Sequence, residues 1–446
     1  MQKTAICKIL YIFLVFVSFV IASVINVGRF QMADIHFYLL TAILIIDIID
    51  NKSITLLTVW IVGFVYILLS EMLLVRYSIL FDRTYRFIFV ANDFVLLGYL
   101  LSKTKQPKKV KEEVITVERH RKLFTFLLVL IYLMYVILKT PDTIEAFYRG
   151  GRNVVSTKFN VVIAQLLSTY KYYPLLLGFY MVRVLHKSKW TALLVSLPIF
   201  WMVLLSGTRF RLLFALVPFL LICGFFRFDK FSMKNLAAMA AFVGLFVIVG
   251  PFMVAIRGTS FEKAQKEELF MTETRSGYFN YLSVKVCEHG SPEGCVKMVN
   301  YVFQYFDEHD FTYGKSTGFV FYFWIPRFLW HSKPVMLNYW LPRVYMDNLR
   351  SNHSTSSAFC GEPYADFGYF SLILMFFFGV GIKKGTNFLR KYRWGLAPNY
   401  KSIYAVLLIP YVFFAVRSPV TASMTILAEM VFMYVCHLLF FKKKVR

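Results

Sequence analysis

The sequence predicts an all-α polytopic membrane protein, and three observations carry that prediction. The 446 residues are 58% hydrophobic and 19% aromatic, and their mean hydropathy is +0.58. Charged residues make up only 17% of the chain, against about a quarter in soluble domains. Several windows of about 16–22 residues carry few or no charges, which is enough for a helix to cross a hydrocarbon layer of about 30 Å. A β-barrel is excluded, because its strands would alternate apolar and polar residues.

About twelve transmembrane helices account for these apolar windows. We place them near residues 5–26, 35–50, 53–75, 87–102, 123–139, 161–183, 190–206, 212–226, 235–256, 365–382, 402–417 and 421–441. The first apolar run exceeds that of a signal peptide, so it is expected to remain as a span. Together the spans form a single transmembrane domain over residues 1–446. One loop, residues 257–364 between the ninth and tenth spans, is long enough to be an external subdomain.

The basic residues indicate the orientation of the spans. The loops at 103–122, 183–189, 227–234 and 383–401 and the C-terminal KKKVR are all basic. Cytoplasmic loops are enriched in Lys and Arg, and a cytoplasmic N-terminus puts all five segments on the cytoplasmic side. Both termini are therefore expected to be cytoplasmic. The same rule explains much of the net charge of +25, so membrane lipids are expected partners and nucleic acid is not.

The external loop is expected to contain helices at 261–286 and 292–306, both partly amphipathic. Cys287 and Cys295 bracket the short segment EHGSPEG. An exported loop meets an oxidising compartment, so a Cys287–Cys295 disulfide is a hypothesis, and it would leave Cys360 unpaired. The six cysteines lack a metal-binding spacing, and we expect neither a metal nor a cofactor.

Four cations lie on the external face or at its margin, where the positive-inside rule disfavours them: Arg209, Arg257, Arg327 and Lys333. A guanidinium keeps its charge and contacts a phosphate through two parallel hydrogen bonds. The cluster therefore indicates a diphosphate carried by a lipid. Structural alternatives remain open. Arg209 and Arg257 suit snorkelling from a helix end to the headgroups, whereas Arg327 suits stacking on aromatic neighbours and Lys333 suits a solvated loop.

Other polar residues of the same face are candidates for acid–base chemistry. Glu362, Asp366 and His353 are of residue types that can take a proton from an acceptor hydroxyl. The alternatives are that the two carboxylates interact with helix N-termini and that the histidine is structural. Five ionisable residues fall inside expected spans, and we expect them to pair between helices rather than to form a proton path: Asp47, Glu71, Asp93, Lys171 and Glu429.

Three short motifs resemble those of the oligosaccharide repeat-unit polymerases, the O-antigen polymerase family. LLSGTRFRLLFAL (204–216) resembles a small–Gly–Thr–Arg element at the outer end of a helix. IPRFLWHSKP (325–334) resembles a Pro-Arg…Trp…Lys-Pro element of the large loop, and CGEPYADFGYF (360–370) a Gly-Glu-x-Tyr…Phe-Gly element that leads back into the membrane. The resemblance covers the topology of the whole chain but specific residues only in these stretches.

This resemblance implies a GT-C-like glycosyltransferase of the bacterial inner membrane, with its active site facing the periplasm. Its substrate would be an undecaprenyl-diphosphate-linked oligosaccharide. The growing glycan would pass to the next lipid-linked unit and build an O-antigen-type surface polysaccharide. A flippase and a chain-length regulator of the same pathway are implied partners. A related ligase that attaches finished glycan to lipid A is an alternative, although Gly361 and Gly368 do not follow His353 at the ligase spacing.

The resemblance also implies roles for the candidate residues. The four external cations would stabilise charge on the departing diphosphate. Glu362, His353 or Asp366 would assist the acceptor hydroxyl. Trp324, Trp330 and Tyr364 would stack on sugars, or else belong to an interfacial aromatic belt. A lipid-linked oligosaccharide flippase or other transporter is the alternative from a different class, and the long loop disfavours it.

Overall fold

The structure is a computed structural model of the whole chain. It describes residues 2–25, 28–74, 79–102, 114–116, 126, 129–130, 133, 173–205, 209–226, 294–325, 329–345, 355–392, 395–396, 399–440 and 442–444. Its contacts divide the chain into two compact units. The first unit comprises Met1–Pro107, Ser291–Phe388 and Tyr411–Ile426, and the second Lys108–Gly290, Leu389–Pro410 and Leu427–Arg446.

The described residues are almost entirely helical. The α-helices are α1 Gln2–Ser23, α2 Arg29–Asn51, α3 Leu56–Phe64, α4 Ser70–Leu74, α5 Asp82–Leu101, α6 Tyr173–Gly178, α7 Lys189–Leu205, α8 Arg209–Ile222, α9 Cys295–Glu308, α10 Phe319–Tyr322, α11 Leu337–Tyr345, α12 Ala358–Phe367, α13 Ser371–Lys391, α14 Lys401–Ala415 and α15 Pro419–Phe440. π-Helical turns cover Val65–Leu69 and Phe179–Val184, and 3₁₀ turns cover Ile79–Phe81 and Gly368–Phe370. A short antiparallel pair joins β1, Val114–Thr116, to β2, Lys442–Lys444.

Several of these helices have the composition of membrane spans, so the prediction of a helical membrane-associated protein is confirmed. Within the described ranges, four are long and apolar enough to cross a bilayer: Arg29–Asn51, Leu56–Leu73, Asp82–Leu101 and Ala358–Lys391. Shorter apolar helices cover Cys7–Ser23, Pro174–Val184, Lys189–Trp201, Lys401–Ala415 and Pro419–Val435. The count of twelve stays a prediction. The span expected at 235–256 and most of that at 123–139 lie outside the described residues.

The observed end of a helix differs most from the end of the predicted apolar span in α13. The apolar run predicts a span that ends near residue 382, whereas the helix continues to Lys391. The extra residues are rich in Lys and Arg, which are good helix formers although they are poor membrane residues. In the external loop, the helix expected at 292–306 is confirmed as α9. The helix expected at 261–286 lies outside the described residues.

In the first unit, the turn between α2 and α3 is built by hydroxyls around a buried carboxylate. The Thr55 side chain accepts hydrogen bonds from the amides of Leu57 and Thr58, and the Thr58 hydroxyl accepts one from the Thr55 amide. This capping box satisfies N–H groups that a helix start otherwise leaves unpaired. The Thr55 and Thr58 hydroxyls also donate to Oδ2 of Asp47, at 2.5 and 3.1 Å. Asp47 thereby joins the end of α2 to the beginning of α3.

Large aromatic side chains fill the core of this unit. Trp60 is fully buried, and its ring meets that of Phe359 edge-on with centroids 5.2 Å apart. Phe64 packs against both Phe89 and Phe359. The indole N–H of Trp60 donates to Oδ1 of Asn92 at 2.9 Å. Helices α3, α5 and α12 therefore share one core, in which the polar atom of the largest ring is hydrogen-bonded.

Helices α5 and α13 touch backbone to backbone. A Cβ added at Gly98 would lie 1.9 Å from the carbonyl oxygen of Phe376, and one added at Gly379 would lie 1.9 Å from that of Val95. Any side chain at these two positions would overlap the facing main chain. Small residues at a helix interface permit this approach in membranes, where packing replaces the hydrophobic effect as the attraction between helices.

The second unit contains a cluster of apolar helices. Helix α6 packs against α7 and α8. The Arg183 guanidinium donates to the carbonyl of Ile222, at the end of α8, at 3.0 Å. Elsewhere in this unit the Phe179 ring lies edge-on to that of Tyr400, and the Tyr400 hydroxyl donates to the Met433 carbonyl. Polar side chains here bind helix carbonyls, which an apolar environment leaves without water.

The close approach of α5 and α13 predicts different effects at two neighbouring glycines of α13. Gly379→Ala should lower the free energy of unfolding by about 1–3 kcal/mol, because the new methyl group forces the two backbones apart. Gly381→Ala is the matched control, since nothing lies within 4 Å of its added Cβ, and alanine favours helix by up to about 1 kcal/mol over glycine. Thermal unfolding of the detergent-solubilised variants measures both. Equal midpoints for the two variants would contradict the contact.

Candidate functional site

The structure describes the surroundings of most predicted site residues of the first unit. The side chains of Trp324, Trp330, Lys333, Glu362, Tyr364 and Asp366 are described. Arg257, Arg327 and His353 lie outside the described residues, so their predicted roles stay predictions. Arg209 is the first residue of α8, and only its backbone is described.

Glu362 is the centre of a buried hydrogen-bond network. It lies in α12 and is 1% exposed. Its Oε1 accepts from Nδ2 of Asn338 at 2.7 Å and from the Ser418 hydroxyl at 3.3 Å. Its Oε2 accepts from the Val420 amide at 3.3 Å. Asn338 in turn accepts a hydrogen bond from the Ser357 hydroxyl at 3.1 Å. A carboxylate buried with this many donors meets the usual condition for keeping a charge away from water.

The start of α15 explains why Glu362 is bound there. Ser418 precedes the helix, and its hydroxyl accepts from the Thr421 amide at 3.3 Å. Pro419 occupies the first helical position, where the absence of an N–H costs nothing. The Val420 amide is then the next donor that needs an acceptor, and Glu362 supplies it. A carboxylate at a helix N-terminus also interacts favourably with the helix dipole.

This network joins three stretches that are far apart in the sequence. Asn338 lies in α11, Glu362 in the motif CGEPYADFGYF, and Ser418 in the turn between α14 and α15. The sequence did not predict that Asn338 and Ser418 belong to the site, because an isolated Asn or Ser has many ordinary roles. A Ser-Pro pair before an apolar run, which is a helix-start signal, marks Ser418 in retrospect.

Asp366 organises the loop that precedes α10. It is fully buried. Its Oδ1 accepts from the Ser316 amide at 3.0 Å and from the Thr312 hydroxyl. Its Oδ2 accepts from the amide and the hydroxyl of Thr317, both at 2.6 Å. Asp366 thus fixes residues 312–317 against the end of α12, which is a positioning role in the structure as it stands.

Lys333 binds main-chain carbonyls in the structure. It is 8% exposed, and its ammonium donates to the carbonyls of Phe323 and Ile325 at 2.7 and 2.9 Å. The ammonium also lies 5.0 Å from the centroid of the Phe319 ring. The solvated-loop alternative is not what the structure shows. Lys333 instead holds the segment that leads into Arg327, the arginine of the IPRFLWHSKP motif.

The three predicted sugar-binding aromatics lie in different surroundings. Trp324 is 69% exposed and Tyr364 is 2% exposed. The Trp330 ring packs against Tyr322, and its indole N–H donates to the Ser332 hydroxyl at 3.0 Å. Tyr364 is enclosed by aromatic rings, among them Phe303 at 4.5 Å between centroids. Tyr364 therefore has no open ring face for a sugar, whereas both tryptophans are at least partly accessible.

Arg83 is a functional-site neighbour that the sequence analysis missed. Its guanidinium donates to Asp307 at 2.6 Å, to the Tyr364 hydroxyl at 2.9 Å and to the Tyr369 hydroxyl at 3.2 Å. The Phe303 ring lies 4.4 Å below it. The ion pair with Asp307 is over 40% exposed on both sides, so it contributes about 0.2–1 kcal/mol. The main effect of this ion pair is geometric, since it joins α5 to α9.

The ionisable residues inside expected spans accept hydrogen bonds across helices. Asp93 accepts from the Ser18 hydroxyl of α1 at 2.7 Å. Glu71 accepts from the Val296 amide at the start of α9 at 3.1 Å. Together with Asp47, these contacts agree with the prediction of interhelical pairing. Glu429 is buried, and Lys171 lies outside the described residues.

The structure does not support the disulfide hypothesis. Cys295 is a free, fully buried thiol, while Cys287 lies outside the described residues. Burial raises the pKa of the Cys295 thiol well above its ordinary value, and the nearby Glu71 carboxylate raises it further. The thiol is therefore protonated and unreactive at neutral pH. Cys360 is likewise free and buried.

The described residues were compared with the requirements of a metal site, and the chain with known proteins. Within the described part of the chain, no three His, Cys, Asp or Glu residues are grouped so that they could hold a metal ion. Comparisons of the sequence with protein-family models and curated proteins, and of the structure with solved structures, find no match.

The Glu362 network predicts the behaviour of a charge introduced next to it. Asn338→Asp would place two carboxylates within about 3 Å and should cost about 3 kcal/mol of stability at pH 8. Folding then raises the pKa of the introduced carboxyl, so the loss should shrink as the pH falls and the proton is regained. Thermal unfolding at pH 8 and pH 5 measures this.

A double variant is the control for this prediction. Glu362→Gln added to Asn338→Asp reverses the donor and acceptor between the two positions, because the new amide can donate to the new carboxylate. It should recover most of the stability lost at pH 8. If Asn338→Asp alone were as stable as the parent at pH 8, Asn338 would not be bonded to Glu362.

Proposed function

We propose that this chain is a membrane glycosyltransferase that polymerises oligosaccharide repeat units carried on undecaprenyl diphosphate. The observation that carries the proposal is the joining of two of the three motifs at one place. Glu362 of CGEPYADFGYF binds Asn338, a few residues after IPRFLWHSKP, while Lys333 within IPRFLWHSKP fixes the carbonyls on both sides of Trp324. Both motifs thus lie in a single hydrogen-bonded body of the first unit.

The chemistry needs little beyond binding and charge stabilisation. The acceptor hydroxyl of the incoming unit forms a bond to the anomeric carbon of the growing glycan, and the bond from that carbon to the diphosphate oxygen breaks. The hydroxyl proton leaves to a base, and undecaprenyl diphosphate departs with its negative charge. Arginines placed at the diphosphate stabilise that charge as it develops. Arg209, Arg257 and Arg327 are the proposed ligands, each through its guanidinium.

The buried carboxylates fit positioning better than proton transfer. Glu362 and Asp366 are each 1% exposed or less, and their oxygens are occupied by donors of the chain itself. A general base has to come within hydrogen-bond reach of the substrate hydroxyl. We therefore assign Glu362 to joining Asn338 to the start of α15, and Asp366 and Lys333 to shaping the segment that precedes Arg327 in the chain. His353 is left as the proposed base. Trp330 is the proposed sugar-stacking residue.

The membrane setting of the proposal is the bacterial inner membrane with the site on the periplasmic side. The proposal includes about twelve spans in a GT-C-like arrangement, with both termini in the cytoplasm. A flippase would deliver the substrate to the same side, and a chain-length regulator would act on the product.

The test is reconstitution with a defined substrate. Purified protein in lipid nanodiscs, given a synthetic undecaprenyl-diphosphate-linked repeat unit, should produce a ladder of polymer and release one lipid diphosphate for each new glycosidic bond. Arg327→Ala and Arg209→Ala should each slow both by about 10²–10³-fold, and Arg→Lys at either site should restore only part. Lys384→Ala, an exposed position in the basic part of α13, is the control and should be as active as the parent.

Each other outcome has a definite meaning. Parent protein that releases no lipid diphosphate would reject the polymerase. Transfer of finished glycan to added lipid A would indicate a ligase, and movement of intact lipid-linked oligosaccharide across sealed vesicles would indicate a transporter. Arginine variants with parental rates would remove those arginines from the mechanism.

A further inference from the structure

A group of large apolar side chains is exposed in a part of the external loop that does not span the membrane. Phe321 is 80% exposed, Tyr313 74%, and Trp324 and Leu329 are each 69% exposed. They lie within seventeen residues of one another along the chain. We call these four side chains the aromatic rim. Large apolar side chains that are exposed so close together in the chain indicate a contact with a partner or a membrane.

The polar groups of the segment that carries the rim form hydrogen bonds with other groups of the protein. The Trp324 indole N–H donates to the Phe321 carbonyl at 2.8 Å. Lys333 donates to the carbonyls of Phe323 and Ile325, and the Ile325 amide donates to Tyr322. Irregular backbone is tolerated near lipid only where its polar groups are bonded within the protein. A loop that faces water does not require this, because water supplies the hydrogen bonds.

The rim lies where two apolar helices begin. Asp366 binds residues 312–317 to the end of α12, immediately before α13 starts at Ser371. Phe319 packs with Met336 and with Val420 of the first turn of α15. The starts of spanning helices lie at the membrane–water boundary, where Trp and Tyr are enriched. Apolar side chains are exposed at the start of α13 as well, at Phe370 just before it and at Ile373 in its first turn.

The charge of the segment matches an anionic lipid surface. Residues 311–345 contain neither Asp nor Glu, and of their basic side chains Lys315 and Arg343 are exposed, whereas Lys333 is buried. Exposed basic side chains near a membrane are attracted to anionic headgroups. A protein partner of acidic character would meet the same charges, but the internal satisfaction of the loop's polar groups and its continuity with α13 favour lipid.

We propose that the aromatic rim inserts into the headgroup–acyl boundary of the bilayer and holds the external loop against the membrane. This assigns Trp324 to lipid rather than to sugar. The lipid contact exists whether or not the chain transfers glycans, so its test does not depend on activity.

Quenching by brominated lipid tests the proposal on the full chain. The protein is reconstituted into vesicles of phosphatidylethanolamine and phosphatidylglycerol with brominated acyl chains, and tryptophan fluorescence is compared with that in unbrominated vesicles. Trp324→Phe should remove a strongly quenched component. Trp60→Phe is the matched control, since Trp60 is fully buried in protein, and it should remove an unquenched one. Equal effects of the two variants would overturn the proposal.

Spin labels give a second measurement that depends on neither tryptophan. In a full-length variant whose native cysteines are replaced by alanine, labels at Phe321→Cys and Leu329→Cys should collide more with oxygen than with a water-soluble nickel complex. A label at Asp310→Cys, which is exposed outside the rim, should show the opposite order. Water-like accessibility at all three sites would overturn the lipid contact. Spin–spin broadening at Phe321→Cys would overturn it in favour of contact with a second copy of the chain.

Discussion

The first unit depends on one constraint, which is that a charged group buried away from water needs hydrogen-bond partners within the protein. Glu362 shows how it is met. A carboxylate that is cut off from solvent needs donors, and an apolar helix that begins in the same surroundings has amides that need acceptors. The start of α15 and the side chain of Glu362 satisfy each other. Glu71 and the start of α9 repeat the arrangement. Glu362 and Glu71 are thus partners of helix starts, and each brings such a start next to another helix.

The loop before α11 meets the same requirement with one side chain of each charge. Asp366 accepts hydrogen bonds from amides and hydroxyls of residues 312–317, and Lys333 donates hydrogen bonds to the carbonyls of residues 323 and 325. Between these two sets of hydrogen bonds, Phe319 packs in a small hydrophobic cluster with Met336 and Val420, so polar and apolar contacts together give the segment a defined shape. Arg327 follows this segment by two residues. The segment that precedes Arg327 in the chain is thus supported by an ammonium and a carboxylate, and rigid support of this kind improves a binding site.

The sequence was sufficient for what depends on composition and insufficient for what depends on partners. Apolar runs predicted helices such as α1, α2, α5 and α15 within a few residues, because hydropathy is a local property. Helix α13 continues past the predicted end of its apolar span, since Lys and Arg end a hydrophobic run without ending a helix. Lys333 was predicted as a site residue, but its hydrogen bonds to main-chain carbonyls were not predicted. These bonds cross two turns, and no local sequence pattern encodes the geometry of those turns. Arg83 was missed for the same reason, as its partner Asp307 lies far away in the chain.

The backbone contact between α5 and α13 has a consequence for how the protein is made. Gly98 and Gly379, the glycines that permit it, are about 280 positions apart in the chain, so at translation rates of 5–20 residues per second the first waits roughly 15–60 s for the second. The contact can form only after the residues between the two helices, including the segment 257–364, have been synthesised. It is therefore a late step in the assembly of the first unit.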